Sequence, residues 1–240
     1  MSQPVVLITG AARRIGAVLA RHFHSSGYDV VLHYNRSHSE AHSLCHDLET
    51  TRPNSAALLQ ADLVQATDWQ ALLEQSLSHW GRVDVLINNA SSFYPTPIGE
   101  IDENSWQDLI GSNLRAPLFL SQAFAPILRT TEGSIINILD SNKTLNNYSV
   151  YSIAKAGLST LTYSLAKELA PDVRVNGIAP GSILWPEVNL SKEAKTNMLS
   201  KIPLGRQGQA EDIAETALFL SNSAYITGQI INVDGGRSLG

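Results

Sequence analysis

The chain has 240 residues, 43% of them hydrophobic, and carries a formal net charge of −5. That length and apolar content suit one α/β domain over 1–240 with a substantial core, and the acidic balance gives no support to nucleic acid or an anionic membrane as partner. Cys45 is the only cysteine, which excludes an intrachain disulfide and points to a reducing compartment; the apolar run 5–8 is too short for a secretion signal or a membrane span, so a cytoplasmic placement is expected.

Short runs rich in Val and Ile alternate with longer helical patterns. Strands are predicted over 5–9, 29–33, 56–60, 83–88, 134–139, 174–179 and 229–233. Most are apolar at every position, as strands are when helices cover both faces of a parallel sheet. The alternation predicts a doubly wound α/β sheet of about seven strands.

After the first strand comes Thr9-Gly10-Ala11-Ala12-Arg13-Arg14-Ile15-Gly16. Gly10 permits a tight turn, Gly16 lets the following helix pack close to the sheet, and the exposed N–H groups at the helix start suit a pyrophosphate. Ile15, Val18, Leu19, His22 and Phe23 follow helical spacing, and Gly27 stops that helix. The second strand ends in His33-Tyr34-Asn35-Arg36-Ser37. An enzyme using NAD would carry an acid here for the ribose hydroxyls; Arg36 and Ser37 offer a cation and a hydroxyl for a 2′-phosphate instead, with Arg13 adding charge nearby. The expected cofactor is therefore NADPH, the alternative being that Arg36 is a solvated loop residue. His38, His42 and His46 recur every four residues on the next helix. Such spacing can bind zinc, but without a supporting carboxylate a solvated helix face is the expected reading and no metal is assigned.

The strand at 83–88 leads into Asn88-Asn89-Ala90-Ser91-Ser92-Phe93-Tyr94-Pro95-Thr96-Pro97. An aromatic just past a strand end can stack on a flat ring; Phe93 and Tyr94 can equally cover the sheet edge. Helices are predicted over 105–128 and 151–170, each apolar over more of its circumference than one sheet contact needs, which suggests a subunit contact. On the second, Tyr151 and Lys155 share a face one turn apart, so the ammonium is expected to lower the phenol's pKa and ready it for proton transfer. The segment 182–206 is long for a connection and reads as a substrate lid, in which Trp185 either lines the pocket or anchors the lid.

The glycine spacing, Asn88-Asn89-Ala90 and Tyr151-x-x-x-Lys155 together resemble the short-chain dehydrogenase/reductase family, over essentially the whole chain from Val5 to Val233-Asp234-Gly235-Gly236. The resemblance implies a single-domain Rossmann-type fold and a cofactor held by Gly10, Arg13, Arg14, Ile15 and Gly16, by His33, Tyr34, Asn35, Arg36 and Ser37, and by Asp62 and Leu63. Further contacts are implied from Asn89, Ala90, Ser91, Tyr151 and Lys155. In this family Asp62 would face the adenine and Asn88 would lie near its ribose. Asn113 would complete the catalytic group with Tyr151 and Lys155, and the backbone of Pro180, Gly181 and Ser182 would meet the nicotinamide amide.

Two positions depart from the general pattern: Arg14 stands where the family usually has glycine, and Asp140, eleven residues before Tyr151, where it usually has serine. With the run from Asn88 to Pro97, these resemble the pteridine reductase branch. That likeness implies that Phe93 sandwiches a pterin against the nicotinamide and that Ser91 and Arg14 bind pterin polar atoms or cofactor phosphate. Arg14 as a phosphate clamp alone, and Asp140 as an ordinary strand-end carboxylate, are the plainer alternatives. By the branch's scheme oxidised pterin is reduced at C7–N8 through Asp140, Tyr151 and Lys155, with Asp140 raised in pKa by partial burial and restocking the proton. Dihydropterin is then reduced at C6–N5 with a proton from water near Arg14. The spacing from Asp140 to Tyr151 is two residues shorter than usual and long insertions before that helix are missing, so biopterin, monapterin and folate all stay open as substrates. The variants are a dihydromonapterin-type reductase and a carbonyl or 3-oxoacyl reductase; a catalytically silent nucleotide sensor is disfavoured by the intact Asn113, Tyr151 and Lys155. The family commonly forms tetramers through the two long helices, so a homotetramer is expected.

Overall fold

In the computed structural model, which describes residues 3–142, 144–183 and 192–239, seven parallel strands form one sheet in the order β3-β2-β1-β4-β5-β6-β7. They are β1 Val5–Ile8, β2 Asp29–Tyr34, β3 Ala56–Gln60, β4 Val85–Asn88, β5 Ser134–Ile138, β6 Arg174–Pro180 and β7 Ile230–Val233. Each lies within two residues of its predicted span. Every β1, β2, β4 and β5 residue is buried, whereas β3 alternates and the edge strand β7 is only partly covered. Uniform burial therefore holds in the centre of the sheet and fails at its edges, where a strand has one neighbour.

Successive side chains of a strand point to opposite faces, and β1 divides the core accordingly. Val6 and Ile8 join Val30, Leu32 and the helices α1 (Arg14–Ser25) and α8 (Ala210–Asn222) through Leu19, Phe23, Ile213 and Leu220. Val5 and Leu7 join Val31, Leu86, Ile135 and the opposite helical layer through Leu120, Phe124, Leu128 and Leu165. Phe23 and Phe124 are wholly buried, one in each layer, so truncating either to Ala should cost about 3–5 kcal/mol. Three helices precede β4: α1, α2 (His38–Thr51) and α3 (Trp69–Leu77). The strand order reverses between β1 and β4, opening a crevice at the carboxyl ends of the strands.

The predicted continuous helix 105–128 is not continuous. α4 (Glu103–Ile110) and α5 (Ala116–Thr130) are joined by a π-helical turn, Gly111–Arg115. The Asn113 side-chain amide donates to the Leu109 carbonyl at 3.0 Å, competing with the backbone for that acceptor, and Gly111 has no β-carbon where Val64 approaches. The catalytic-helix prediction fares better: α6 runs Ser149–Glu168. Part of the predicted lid forms α7 (Lys192–Leu199), while Trp185 lies outside the described residues. Among the described residues no helix is long and apolar enough to cross a membrane.

Candidate active site

A cleft of about 850 Å³ follows the crevice from the glycine turn to α6. Its nucleotide end is built largely from backbone. Gly10 has φ +64°, and a β-carbon there would come within 3.0 Å of the Ala90 Cα; one on Gly16 would meet the Gly10 carbonyl at 2.1 Å. Neither position tolerates a side chain. Arg14 also has positive φ, 54°, which explains why glycine is usual there; a guanidinium is held in the cleft wall despite the strain. Asn89 donates its amide to the carbonyls of Thr9 and Gly10 at 2.9 and 3.1 Å, tying the turn to β4.

His33 lines this end, but both ring nitrogens serve the backbone. Nδ1 accepts the Gly10 N–H at 3.1 Å and Nε2 lies 3.1 Å from the Ala61 carbonyl, which it can only reach as a donor. That pattern needs the neutral ring, and burial pushes its pKa down to about 4. Its role is to brace the turn. Tyr34 is buried beneath a stacked His38–His42 pair, 4.0 Å between centroids. His38 and His42 thus cap an aromatic, and among the described residues no group of three or more His, Cys, Asp or Glu could hold a metal. Asn35 and Arg36 are exposed on the cleft rim beside Ser37, immediately before α2. Arg13 pairs loosely with Glu40 at 3.8 Å, both about half exposed. Ile15, Asp62, Leu63 and Ala90 also line the cleft.

Asn88 does not. Its amide donates to Asn137 Oδ1 at 2.8 Å, and Asn137 donates to Thr162, forming a buried polar ladder from β4 through β5 to α6. The expectation that it lies near a ribose is corrected: inside a sheet, a polar side chain finds its partner on the next strand.

The reaction end is built from side chains. The Tyr151 hydroxyl donates to Asp140 Oδ2 at 3.0 Å, while Asp140 Oδ1 accepts both the backbone and side-chain N–H groups of Asn142 at 2.7 and 2.8 Å. Lys155 donates to the Ile138 carbonyl at 2.8 Å and sits 5.6 Å from the Tyr151 ring centre. The expected lowering of the Tyr151 pKa is overturned. Burial raises it well above the ordinary phenol value, and the charge and hydrogen bond of Asp140 raise it further. Lys155 is turned to the β5 carbonyl, and burial pushes its own pKa down to about 8 against the pull of Asp140. The phenol therefore holds its proton at neutral pH.

Asn113 is fully buried behind this group and does not line the cleft. It accepts the Ser91 hydroxyl at 2.6 Å and donates to the Ser92 carbonyl at 3.0 Å, so Ser91 is tied to it. Pro180 and Gly181 line the cleft and Ser182 does not. Phe93 is 54% exposed, stacked on Tyr148 at 4.6 Å and edge-on to Tyr151 at 4.8 Å. It therefore does not serve as sheet cover; Tyr94 packs between helices instead, against Leu109 of α4 and Val150 of α6.

Tyr148, Asn142 and Thr96 were missed in the sequence. Tyr148 could have been found from its i, i+3 spacing to Tyr151. Thr96, buried, donates its N–H to the Asn147 carbonyl at 2.5 Å and accepts the Val150 N–H at 3.4 Å, stapling the Phe93 loop to the start of α6. Nothing local announces that contact.

A family model described as enoyl-(acyl carrier protein) reductase matches residues 10–238. The chain belongs to the short-chain dehydrogenase/reductase family. It is an oxidoreductase of that family. It is 40% identical to pteridine reductase 1 of Leishmania tarentolae over 98% of this chain and 96% of that one, which supports the pteridine reductase branch. The alignment spans 280 positions, more than this chain has residues, so the relative carries segments that this chain lacks. A 3-oxoacyl-[acyl-carrier-protein] reductase of Staphylococcus aureus is 37% identical over 96% of each chain, and one of Staphylococcus epidermidis 35% over 96% and 97%.

Proposed function

We propose that this short-chain reductase is an NADPH-dependent pteridine reductase that carries pterins of the biopterin and dihydrobiopterin type to the tetrahydro form, with dihydrofolate and dihydromonapterin as further candidate substrates. The observation that carries the reading is the Asp140–Tyr151 hydrogen bond at 3.0 Å beside the exposed face of Phe93. A ketone reductase needs only a hydroxyl at 140. A carboxylate next to the phenol instead keeps the proton on Tyr151 and offers acceptors to a ring rich in N–H groups.

The residues fit a nicotinamide dinucleotide: Gly10 and Gly16 leave room where a β-carbon would intrude, and Arg36 and Ser37 precede the N-terminus of α2 with no acid between 33 and 37. When bound, NADPH supplies a hydride to the ring carbon of a C=N bond. For the C7–N8 bond of an oxidised pterin, Tyr151 gives its proton to the ring nitrogen, the Lys155 ammonium is the charge at hand to offset the phenolate, and Asp140 is bonded to the oxygen that must be reprotonated. For the C6–N5 bond of a dihydropterin the proton comes from water near Arg14. Phe93, backed by Tyr148, presents a flat apolar face to the substrate. Exposed Trp106, Leu118, Ile153 and Tyr163 on α4, α5 and α6 support self-association, for which a homotetramer is our reading. The segment 182–206 is our candidate lid over one domain spanning the chain, and a cytoplasmic site of action fits the single cysteine.

The test is NADPH oxidation with dihydrobiopterin, dihydrofolate and an acetoacetyl thioester in parallel. Turnover of the pterin supports the proposal. Turnover of the thioester alone would reassign the chain to the 3-oxoacyl reductases, the second reading, which rests on the 37% identity above.

A further inference from the structure

The π turn Gly111–Arg115 faces two ways. Ser112 and Asn113 serve the reaction side: Ser112 Oγ accepts the Ser92 N–H at 3.3 Å, and Asn113 holds Ser91 and Ser92 as described. Gly111 and Arg115 face the loop between β3 and α3. The Arg115 guanidinium donates to the Ala66 carbonyl at 3.1 Å and to the Val64 carbonyl at 3.5 Å. It lies 5.4 Å from the Trp69 ring and 5.3 Å from the Phe119 ring, which are stacked on each other at 5.6 Å. A β-carbon at Gly111 would press on Val64 at 3.1 Å. This is the loop whose Asp62, Leu63, Val64 and Gln65 form the cleft wall at the carboxyl end of β3, beside the β2 end where the adenosine half of a dinucleotide lies in this topology. Asp62 Oδ1 shapes the loop from within by accepting the Val64 and Gln65 N–H groups at 2.9 and 3.3 Å.

We infer that Arg115 is a positioning residue for cofactor binding: lining no part of the cleft itself, it holds Val64 and so sets the wall against which the adenosine half packs. The loop is held at its start by Ala61, bonded to Tyr34 and His33, and by Leu63 in the core, and Arg115 holds its Val64–Ala66 stretch. A guanidinium that forks onto two carbonyls while resting on two aromatic rings is rigid in a way a lysine cannot reproduce. The inference rests on the dinucleotide reading, and its consequence differs from that of Arg36. Arg36 bears on the 2′-phosphate alone, whereas Arg115 bears on the part that NADPH and NADH share.

The test uses the full-length protein and its Arg115→Gln and Arg115→Lys variants, with thermal unfolding as a control. Dissociation constants are measured for NADPH and NADH, and kcat/KM for dihydrobiopterin is measured with NADPH and with reduced nicotinamide mononucleotide, which lacks the adenosine half. Arg115→Gln is expected to weaken NADPH and NADH by the same factor, about tenfold, leaving their ratio unchanged. Turnover with the mononucleotide should stay within about twofold of wild type, and Arg115→Lys should fall between. NADPH affinity within about twofold of wild type in Arg115→Gln would overturn the inference. So would an equal loss with the mononucleotide, which would mark a general disturbance of the turn and Asn113. Failure of the wild-type protein to bind NADPH would instead sink the dinucleotide reading itself.

Discussion

The two ends of the cleft are made differently. At the nucleotide end the shape comes from backbone: two glycines without room for a β-carbon, a neutral His33 bridging Gly10 and Ala61, and cations left exposed on the rim. At the reaction end it comes from side chains that perturb one another, with burial and then Asp140 holding Tyr151 protonated and burial drawing Lys155 toward neutrality. A backbone cradle binds what is common to every turnover and changes little with pH in the neutral range. A cluster of coupled groups is where substrate choice and proton supply are adjusted, and where single substitutions should be felt in rate.

The sharpest break of this comparison is at Tyr151. Tyr151→Phe should lower pterin turnover by about 10²–10⁴-fold, and Asp140→Ala steeply as well, while NADPH affinity by fluorescence stays near wild type. Retention of most turnover in Asp140→Ala would mean that its carboxylate is no part of proton supply.

His33 tests the nucleotide end through stability. Its folded pKa of about 4 lies below the ordinary imidazole value of 6.5, so the unfolded chain binds the proton first. Its contribution is intact above about pH 6.5, is lost as pH falls toward 4, and changes no further below; the loss amounts to roughly 3 kcal/mol. Urea unfolding of His33→Asn across that window should show a correspondingly flatter pH dependence. An unchanged slope would mean the ring is not held neutral.

Arg36→Ala should weaken NADPH by at least about tenfold, the worth of one charge-assisted phosphate contact, and leave NADH nearly unchanged. Equal affinity of the wild-type protein for both nucleotides would leave Arg36 a solvated loop residue. The smallest effect is expected at Phe93: its stack is worth about 0.5–1.5 kcal/mol, so Phe93→Ala should raise the KM for pterin severalfold and spare NADPH. A lowered melting temperature with an unchanged KM would make Phe93 structural.

The same contrast governs what the residues disclosed before any fold was seen. The glycine turn, the missing acid after β2 and the seven apolar runs are local patterns, and each was legible from neighbours in the chain. Asp140, Tyr151 and Lys155 were legible as a group only because a family pattern sets them side by side; their mutual effect was misjudged. Phenol and ammonium one helical turn apart suggest a lowered pKa, but Lys155 reaches the Ile138 carbonyl instead, and burial followed by Asp140 raises the phenol, a balance fixed by where β5 ends relative to α6.

By itself, then, the chain determined strand order of appearance, both glycine contacts and the residue types at the reaction centre, since each depends on spacing within a few turns of helix or strand. Tertiary structure alone decided that Asn88 faces Asn137, that Thr96 staples the Phe93 loop to α6, that the helix at Asn113 opens into a π turn, and that Arg115 reaches back to Val64 and Ala66. Apart from the π turn, these contacts join residues about fifty positions apart, and groups that far along a chain share no periodicity; only the packing of separate elements brings a donor to its acceptor.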